Sequence, residues 1–219
     1  MKSPPFSAEQ LQATLDSLAL TGPYYVAYSG GLDSHVLLHA LCSAQSTQVK
    51  EIHALYVNHA MNSNADNWGK HCKNICNDLN INFVELKLSE SCPKGASREA
   101  WAREFRYKIL LNELPSDGIL LTGHHQDDQA ETLLLQVVRG AGSRGLSAMP
   151  LMRKREKNWH ARPLLKISRN QILEYANDHG LKWIEDDSNR DIDYDRNFFR
   201  HEIIPALRKR WPGISKTMA

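Results

Sequence analysis

Apolar residues along this chain alternate between two spacings. Short runs rich in β-branched and aromatic residues predict buried strands at residues 24–28, 51–58, 81–88 and 118–122. Longer segments between them repeat apolar residues every three or four positions, which predicts helices at residues 33–44, 64–79 and 96–114. Strands that alternate with helices in this way are typical of an α/β protein with a parallel sheet.

Further helices are predicted at both ends of the chain. Ser7, with Gln10 three residues later, predicts a capped first helix that runs to about residue 20. A helix is expected at residues 126–138, ending in a turn that contains Gly140. After residue 151 the pattern predicts a basic loop, a short strand near 159–164, a helix capped by Ser168 and Gln171, and a final helix from about residue 195 that Pro205 kinks or divides.

An aromatic stripe marks the helix predicted at residues 96–114. Trp101, Phe105 and Ile109 recur every four residues, so we expect them to face the sheet and to belong to the core. The charged side chains of Arg98, Glu99 and Arg106 then remain available to solvent or to a site.

Composition narrows the class of protein. The 219 residues are 42% hydrophobic and 24% charged, which is enough to bury a substantial core. No run approaches the roughly 18 apolar residues that cross a bilayer, and the first residues lack the apolar segment of a secretory signal, so we expect a cytosolic protein without a membrane partner. The formal net charge of +2 does not by itself indicate a nucleic-acid partner.

Two basic clusters and a cysteine pair leave alternatives open. Basic residues gather at 153–157 and again at 196–210, where they either follow a phosphate backbone or form a solvated surface. Cys72 and Cys76, with His71 beside them, have a spacing that fits a metal site, but packing of one helix face explains it as well. Cys42 and Cys92 complete the set without forming a CxxC pair, so reduced thiols are expected.

The sharpest local feature follows the first predicted strand. Two adjacent glycines there permit a positive φ and let the backbone approach a ligand, while the free N–H groups of the next helix favour an anion such as phosphate. Asp33 is placed either to cap this helix or to hold Mg²⁺ against phosphate oxygens, and two serine hydroxyls can donate to them. The loop is neither a Walker A motif nor a dinucleotide fingerprint. Its residues are Ser29, Gly30, Gly31, Leu32, Asp33 and Ser34.

A second cluster follows the strand at 118–122. The segment from Gly123 to Thr132 contains two histidines and three aspartates or glutamates beyond them. Asp128, Glu131 and Thr132 are three or four residues apart on a helix, so they share a face and can converge on an ammonium group, a metal or both. An acidic helix N-terminus with structural histidines is the alternative. A zinc hydrolase is disfavoured because the HExxH spacing is missing.

The first motif, residues 29–34, resembles the SGGxDS signature of the PP-loop ATP pyrophosphatases. Members of this superfamily split ATP into AMP and pyrophosphate while adenylating a substrate. The resemblance implies a twisted parallel sheet with helices on both faces, with ATP at the carboxyl ends of the strands.

Other segments resemble one family within this superfamily, the tRNA(Ile)-lysidine synthetases. Residues 123–132 resemble its GHHxDDxxET element and residues 139–146 its RGxGxxGL element. Further matches lie at residues 99–107 and 183–200. We therefore expect residues 1–219 to form the catalytic domain, with an N-terminal helix in 1–20 and a C-terminal helical segment in 195–219. The tRNA-binding domains that usually follow in bacterial members are expected to be absent from this chain.

The resemblance implies a reaction and a set of roles. ATP, with Mg²⁺, adenylates the C2 oxygen of the wobble cytidine (position 34) of a CAU-anticodon tRNA(Ile), and the ε-amine of L-lysine then displaces AMP. Asp33 is the candidate Mg²⁺ ligand, and Asp128 and Glu131 are the candidates for lysine recognition and proton removal. His124 is a candidate for orienting the reacting groups. The candidates for neutralising the AMP phosphate or meeting the tRNA backbone are Arg103, Arg196 and Arg200.

Two other functions are compatible with part of the pattern. Another PP-loop enzyme, such as a tRNA thiolase or an amidotransferase synthetase, is disfavoured because the chain lacks a CxxC pair and an N-terminal cysteine. A nucleotide-binding module without catalysis would bind ATP but release no pyrophosphate. That function leaves the cluster of His, Asp and Glu residues without a purpose.

Overall fold

The computed structural model describes residues 4–44, 51–58, 64–87, 93, 95, 98–142 and 145–219. A six-stranded sheet with the strand order β3-β2-β1-β4-β6-β5 forms its centre, and all pairs are parallel except β5 with β6. The strands are β1 (Tyr24–Ala27), β2 (Ile52–Asn58), β3 (Asn82–Lys87), β4 (Ile119–Leu121), β5 (Met152–Arg155) and β6 (Asn158–Ala161).

Helices connect the strands and extend the chain beyond the sheet. The six longer ones are α1 (Ala8–Ser17), α2 (Leu32–Ser43), α3 (Ala65–Asp78), α4 (Arg98–Glu113), α5 (Gln126–Val138) and α6 (Arg169–Asp178). Three short helices follow them: α7 (Asp195–Phe198), α8 (Ile204–Arg210) and α9 (Ile214–Met218). Within the described residues, no helix is both long enough and apolar enough to cross a membrane.

Apolar side chains are buried on both faces of the sheet. Alternate residues of a strand point to opposite faces, so Val26 and Ala54 belong to one core cluster and Leu55 and Leu120 to the other. The larger cluster contains residues of α1, α2, α3 and α6, whereas the smaller one is closed by Leu110 and other residues of α4. The α/β class, the mostly parallel sheet and helices on both of its faces are therefore confirmed.

The order of the strands creates the position of a site. The first strand lies between β2 and β4, because the chain runs outward from β1 to β3 on one side and then crosses to β4 on the other. In an open parallel sheet, the crevice outside the carboxyl ends of strands at such a switch point is where ligands bind. The two motifs that follow β1 and β4 therefore come to the same edge of the sheet, although about 90 residues separate them in the sequence.

Two sequence-based expectations were wrong. Residues 152–155, expected in a basic loop, form the antiparallel edge strand β5. The sequence of this strand, Met-Arg-Lys-Arg, shows no alternation of apolar and polar residues. Charged side chains are common on exposed edge strands, so this strand gave no recognisable strand pattern. The stripe of Trp101, Phe105 and Ile109 lies outside both core clusters. Ala102 and Leu110 of α4 are buried, as is Leu114 directly after its end, about one residue out of phase with the expected stripe.

The helix ends agree more closely with expectation. Ser168 and Gln171 form the full capping box of α6. Ser7 accepts from the Gln10 amide (3.3 Å) as the cap of α1. Pro205 lies in the first turn of α8 and divides the final helical segment, as expected. A turn of π-helix at Phe199–Ile203 precedes it.

Candidate active site

The loop after β1 forms a compact turn held by its own hydroxyls. The Ser34 hydroxyl lies 3.1 Å from that of Ser29, accepts from the Ser29 amide (3.2 Å), and donates to the Gly31 carbonyl (3.0 Å). Gly31 is the N-cap of α2 and provides no side-chain cap, so the first N–H groups of the helix point out of the turn without a capping oxygen. This arrangement suits an anion, as expected from the sequence.

Gly30 is needed for both backbone conformation and packing. Its φ of +77° lies in the left-handed region, and a Cβ there would approach Ile184 Cδ1 to 2.5 Å and Cys72 Sγ to 2.8 Å. The Ile184 amide also donates to the Gly30 carbonyl (2.9 Å). Ile184 therefore holds the loop by a backbone hydrogen bond and by side-chain packing, and Cys72 packs against the same glycine.

Gly30→Ala is expected to destabilise the fold by about 2–3 kcal/mol because the left-handed strain and the overpacking add together. Gly180→Ala is the matched control, since Gly180 also has a positive φ (+61°) but has open space where its Cβ would lie. It should cost about 1 kcal/mol. Urea unfolding of both variants measures the difference, and equal destabilisation would contradict the packing role of Gly30.

The second motif reaches the loop through a close backbone approach. A Cβ on Gly123 would lie 2.9 Å from the Asp33 carbonyl carbon and oxygen and 3.1 Å from the Ser34 amide nitrogen. Only glycine allows this approach without a shift of the backbone. The start of α5 is thereby placed directly beside the start of α2.

A buried histidine joins the two motifs. Nε2 of His125 lies 3.6 Å from Asp33 Oδ2 and 3.5 Å from Asp128 Oδ2, and the His125 amide donates to the same Asp128 oxygen (2.9 Å). Burial lowers the pKa of His125, but Asp128 and Asp33 outweigh it and raise this pKa to about 9. The Asp127 amide donates to Nδ1 (3.2 Å), so the ring proton that lies between the two carboxylates is on Nε2.

One arginine binds both carboxylates of α5 that the sequence singled out. Arg200 donates from Nε and Nη2 to the two oxygens of Glu131 (2.7 and 2.9 Å) and from Nη2 to Asp128 Oδ1 (3.3 Å). Nε of Arg196 lies 3.8 Å from Glu131, and its Nη2 donates to Thr132 (3.3 Å). The π-helical turn carries Arg200 to this position.

The two carboxylates differ in how readily they take a proton. Burial raises the pKa of Asp128, but His125, His124 and Arg200 outweigh it and lower this pKa to about 2. Burial raises the pKa of Glu131, and Arg200 opposes that shift. Asp128 is therefore held ionised, whereas Glu131 is the better proton acceptor of the pair.

Comparison with known proteins identifies the family of the chain. The family model described as "PP-loop domain" matches residues 7–207. The chain belongs to the PP-loop family. Among curated proteins, it is similar to the tRNA(Ile)-lysidine synthases of Coxiella burnetii (44% identical over 95% of this chain and 46% of that protein) and Proteus mirabilis (45% identical over 88% of this chain and 44% of that protein). The chain thus spans about half the length of the curated relatives it matches.

A solved structure shares the fold of this PP-loop chain. The U34-tRNA thiolase of Methanococcus maripaludis superposes with a TM-score of 0.79 over 96% of this chain and 74% of that protein, at 19% sequence identity. This degree of identity supports the fold alone. The expected PP-loop fold is confirmed.

The second basic cluster is largely paired with the acidic helix of the PP-loop domain. Besides Arg196 and Arg200, Arg208 donates from Nη2 to Asp127 (2.6 Å) and to the Ser215 hydroxyl (2.7 Å). These arginines fasten α7, α8 and α9 to α5 and are engaged by protein groups. Lys209 and Arg210 are exposed, as are Arg153 and Lys154 on the edge strand.

The cysteine pair is part of the core. Cys72 and Cys76 are fully buried, and burial raises the pKa of each thiol to about 12, so both stay protonated. Over the described part of the chain, no group of three or more His, Cys, Asp or Glu side chains is arranged to hold a metal ion. Packing of a helix face therefore explains their spacing, and Cys92 lies outside the described residues.

Sequence reasoning missed a buried polar chain behind His124. His160 is fully buried on β6 and hydrogen-bonds to Arg162 (Nδ1 to Nη2, 3.1 Å) and Thr122 (Nε2 to Oγ1, 2.9 Å). Its imidazole belongs to a strand with no recognised motif, so no local signal pointed to it. Burial, with Arg162 and His124, lowers the pKa of His160 to about 2.

This shift predicts a pH dependence of stability. The pKa of His160 is lower in the folded chain than in the unfolded one, so the unfolded chain binds more protons below about pH 6.5 and stability falls as the pH falls. The free energy of unfolding should lose about 1.4 kcal/mol per pH unit from this one histidine. Urea titrations at several values from pH 7 to pH 5 measure the slope. His160→Gln should make the slope shallower, and an unchanged slope would argue against a buried neutral imidazole.

Proposed function

We propose that this chain carries the catalytic domain of a ligase that uses ATP to attach L-lysine to the wobble cytidine of a CAU-anticodon tRNA(Ile). The supporting observation is the convergence of the phosphate loop with an acidic cluster. Nε2 of His125 lies 3.6 Å from Asp33 and 3.5 Å from Asp128, across the switch point of the sheet. The similarity to curated tRNA(Ile)-lysidine synthases supports the identity of the substrates.

The phosphate loop would hold the pyrophosphate half of ATP. The open N–H groups at the start of α2 and the hydroxyls of Ser29 and Ser34 can donate to phosphate oxygens. Attack of the cytidine C2 oxygen on the α-phosphorus then forms the adenylated base and breaks the bond to pyrophosphate, which leaves. Positioning and electrostatics provide the acceleration in such a transfer.

Asp33 fits a magnesium ligand. Its Oδ1 is buried and has no hydrogen-bond partner among the described residues, so an acceptor for a cation is left over. Mg²⁺ is commonly held by one or two carboxylates together with substrate phosphates, which explains why a larger ligand cluster is not required. The ion would offset the negative charge that develops on the leaving pyrophosphate.

The acidic cluster would receive lysine. Asp128 stays ionised and can attract the ammonium group, which would share the carboxylates with Arg200. Glu131, with its higher pKa, would take the proton that the ε-amine must lose before attack. The amine then bonds to C2, the bond from C2 to the adenylated oxygen breaks, and AMP leaves.

Arg103 and Arg196 would face the phosphate of AMP. Both cations lie close enough to His124 to lower its pKa, so positive charge accumulates on that side of the cluster. The Arg103 guanidinium lies 5.5 Å above the Tyr107 ring, and no carboxylate among the described side chains pairs with it. These cations would stabilise the departing phosphate.

Lysine incorporation into tRNA tests the proposal. The chain is incubated with ATP, Mg²⁺ and labelled lysine, using the CAU-anticodon tRNA(Ile) and, for comparison, the CAU-anticodon tRNA(Met). Asp128→Asn should abolish incorporation, whereas Asp127→Asn is a matched control because the neighbouring carboxylate pairs with Arg208 outside the cluster. Label in tRNA(Ile) alone, with release of pyrophosphate, is the expected result. ATP binding without lysine in either tRNA would contradict the proposal.

A further inference from the structure

Three buried side chains form a hydrogen-bonded row behind His124. Thr122 follows β4, and His160 and Arg162 lie on or just after the neighbouring β6, with exposed fractions of 5%, 0% and 4%. Arg162 contacts His160 Nδ1 (3.1 Å), His160 Nε2 contacts the Thr122 hydroxyl (2.9 Å), and that hydroxyl contacts His124 Nδ1 (2.7 Å). We call these three residues the donor row.

Arg162 determines the direction of the hydrogen bonds in the donor row. A guanidinium only donates, so Nδ1 of His160 must accept from Arg162, and the ring proton of His160 must lie on Nε2. That proton is donated to the Thr122 oxygen. The Thr122 hydroxyl then donates its own proton to Nδ1 of His124, which leaves the His124 proton on Nε2. The alternative, in which the Thr122 oxygen accepts from both histidines, would leave the buried hydroxyl proton without an acceptor among the described residues.

The row is held firmly in place. The Tyr107 ring packs on His160 with a centroid distance of 5.2 Å, and a second nitrogen of Arg162 donates to the Pro150 carbonyl (2.9 Å). A buried and fully directed network of this kind fixes one ring orientation and one tautomer. His124 is therefore presented in a single state.

His124 lies beside the candidate active site, since Asp128 and Arg196 are both close enough to affect its pKa. His124 is partly exposed, and Nε2 has no hydrogen-bond partner within the part of the chain that the structure describes. Arg103, Arg162 and Arg196 add positive charge around the ring. Burial, together with these cations, lowers the pKa of His124 to about 3, which keeps the ring neutral and makes it a hydrogen-bond donor and a poor base. The expected partner of such a donor in a cationic setting is a phosphate oxygen.

We propose that Thr122 and His160 are positioning residues that fix the Nε2–H tautomer of His124, so that this histidine donates to a phosphate oxygen of the bound nucleotide. The tautomer itself does not depend on the reaction. Only the effect on turnover rests on the proposed function. His124 would then stabilise negative charge on the phosphate and would take no part in proton removal.

Two substitutions of Thr122, one without a hydroxyl and one with it, test the hydrogen bonds of the donor row. Thr122→Val keeps the shape of the side chain and removes both hydrogen bonds, whereas Thr122→Ser keeps the hydroxyl. His160→Gln is a second variant that retains an N–H donor near the position of Nε2. Thermal unfolding of each variant establishes that it is folded before the other measurements are made.

Nitrogen NMR of histidine-labelled protein reports the tautomers directly. The His124 and His160 signals are assigned by their loss in His124→Gln and His160→Gln. Both rings should carry the proton on Nε2 in the original chain and in Thr122→Ser, while Thr122→Val should lose the single tautomer of His124. Addition of AMP should shift the His124 Nε2–H signal. A proton on Nδ1 of His124, or unchanged His124 signals in Thr122→Val, would overturn the proposal that the donor row fixes the tautomer of His124.

Turnover tests the consequence for the reaction. Thr122→Val should reduce kcat for pyrophosphate release about 10- to 100-fold, as loss of a residue that orients an active group commonly does, with little change in KM for ATP. Thr122→Ser should stay close to the original chain. An unchanged kcat in Thr122→Val, combined with a lost tautomer, would overturn the positioning role. If the original chain releases no pyrophosphate, the proposed function fails, and the AMP-dependent shift of His124 still decides the inference.

Discussion

Replacing Asp33 with asparagine should reduce pyrophosphate release about 100- to 1,000-fold while leaving the fold intact. The substitution keeps the size of the side chain but removes its negative charge. Oδ1 of Asp33 is buried without a hydrogen-bond partner among the described residues, and the asparagine oxygen can still face Nε2 of His125 in place of Oδ2. The proposed magnesium ligand would lose most of its attraction for the cation.

Steady-state kinetics over a range of Mg²⁺ concentrations measures this effect. The variant should need more Mg²⁺ and should remain slow at saturation, because the ion would no longer be held beside the phosphate loop. Asp66→Asn is a suitable control, since Asp66 lies on α3 and contacts Asn58 away from the cluster. An Asp33→Asn variant with the original rate and the original Mg²⁺ dependence would exclude Asp33 as the metal ligand.

Arg200→Met should lower both activity and stability. Removal of the guanidinium leaves the buried Glu131 and Asp128 carboxylates without the cation that binds them, and breaking a buried ion pair from one side costs about 3 kcal/mol. Proximity of the two unpaired carboxylates would also raise the pKa of at least one of them. Lysine incorporation should therefore fall at least 10-fold, because recognition of the lysine ammonium group needs the charged form of the carboxylates.

Urea unfolding and the lysine-incorporation assay measure these two effects. Arg190→Met is the matched control, since Arg190 pairs with Glu185 at 3.5 Å on the surface, with both side chains largely exposed. A surface pair of this kind contributes about 0.5 kcal/mol or less. Arg200→Lys should recover part of the stability, but it cannot form the bidentate hydrogen bonds with Glu131. Equal stability of the two methionine variants would show that Arg200 is not a buried partner.

The donor row and the acidic cluster divide the candidate catalytic work between two histidines in sequence. His125 faces inward and joins Asp33 to Asp128. His124 contacts Thr122 through Nδ1 and lies near Asp128 and several arginines.

The sequence predicted the parts of the protein that depend on neighbours along the chain. The strand and helix order, the turn with Gly30, the capping box of α6 and the division at Pro205 all follow from local patterns. The signature at residues 29–34 and the second motif at 123–132 also lie within short segments. The phase of α4 was misjudged because aromatic residues were taken as core, although smaller aliphatic residues fill the space against the sheet.

What the sequence alone determined is therefore the fold class, the phosphate loop and the set of candidate side chains. Only the tertiary structure decided which of them meet: Arg200 binds Glu131 across 69 residues, Gly123 lies against Asp33, and His160 orients Thr122 from the next strand. The physical reason is that these contacts depend on strand order and on helix packing, which bring distant segments together. No local spacing of residues encodes which arginine reaches a buried carboxylate or which nitrogen of a histidine carries its proton.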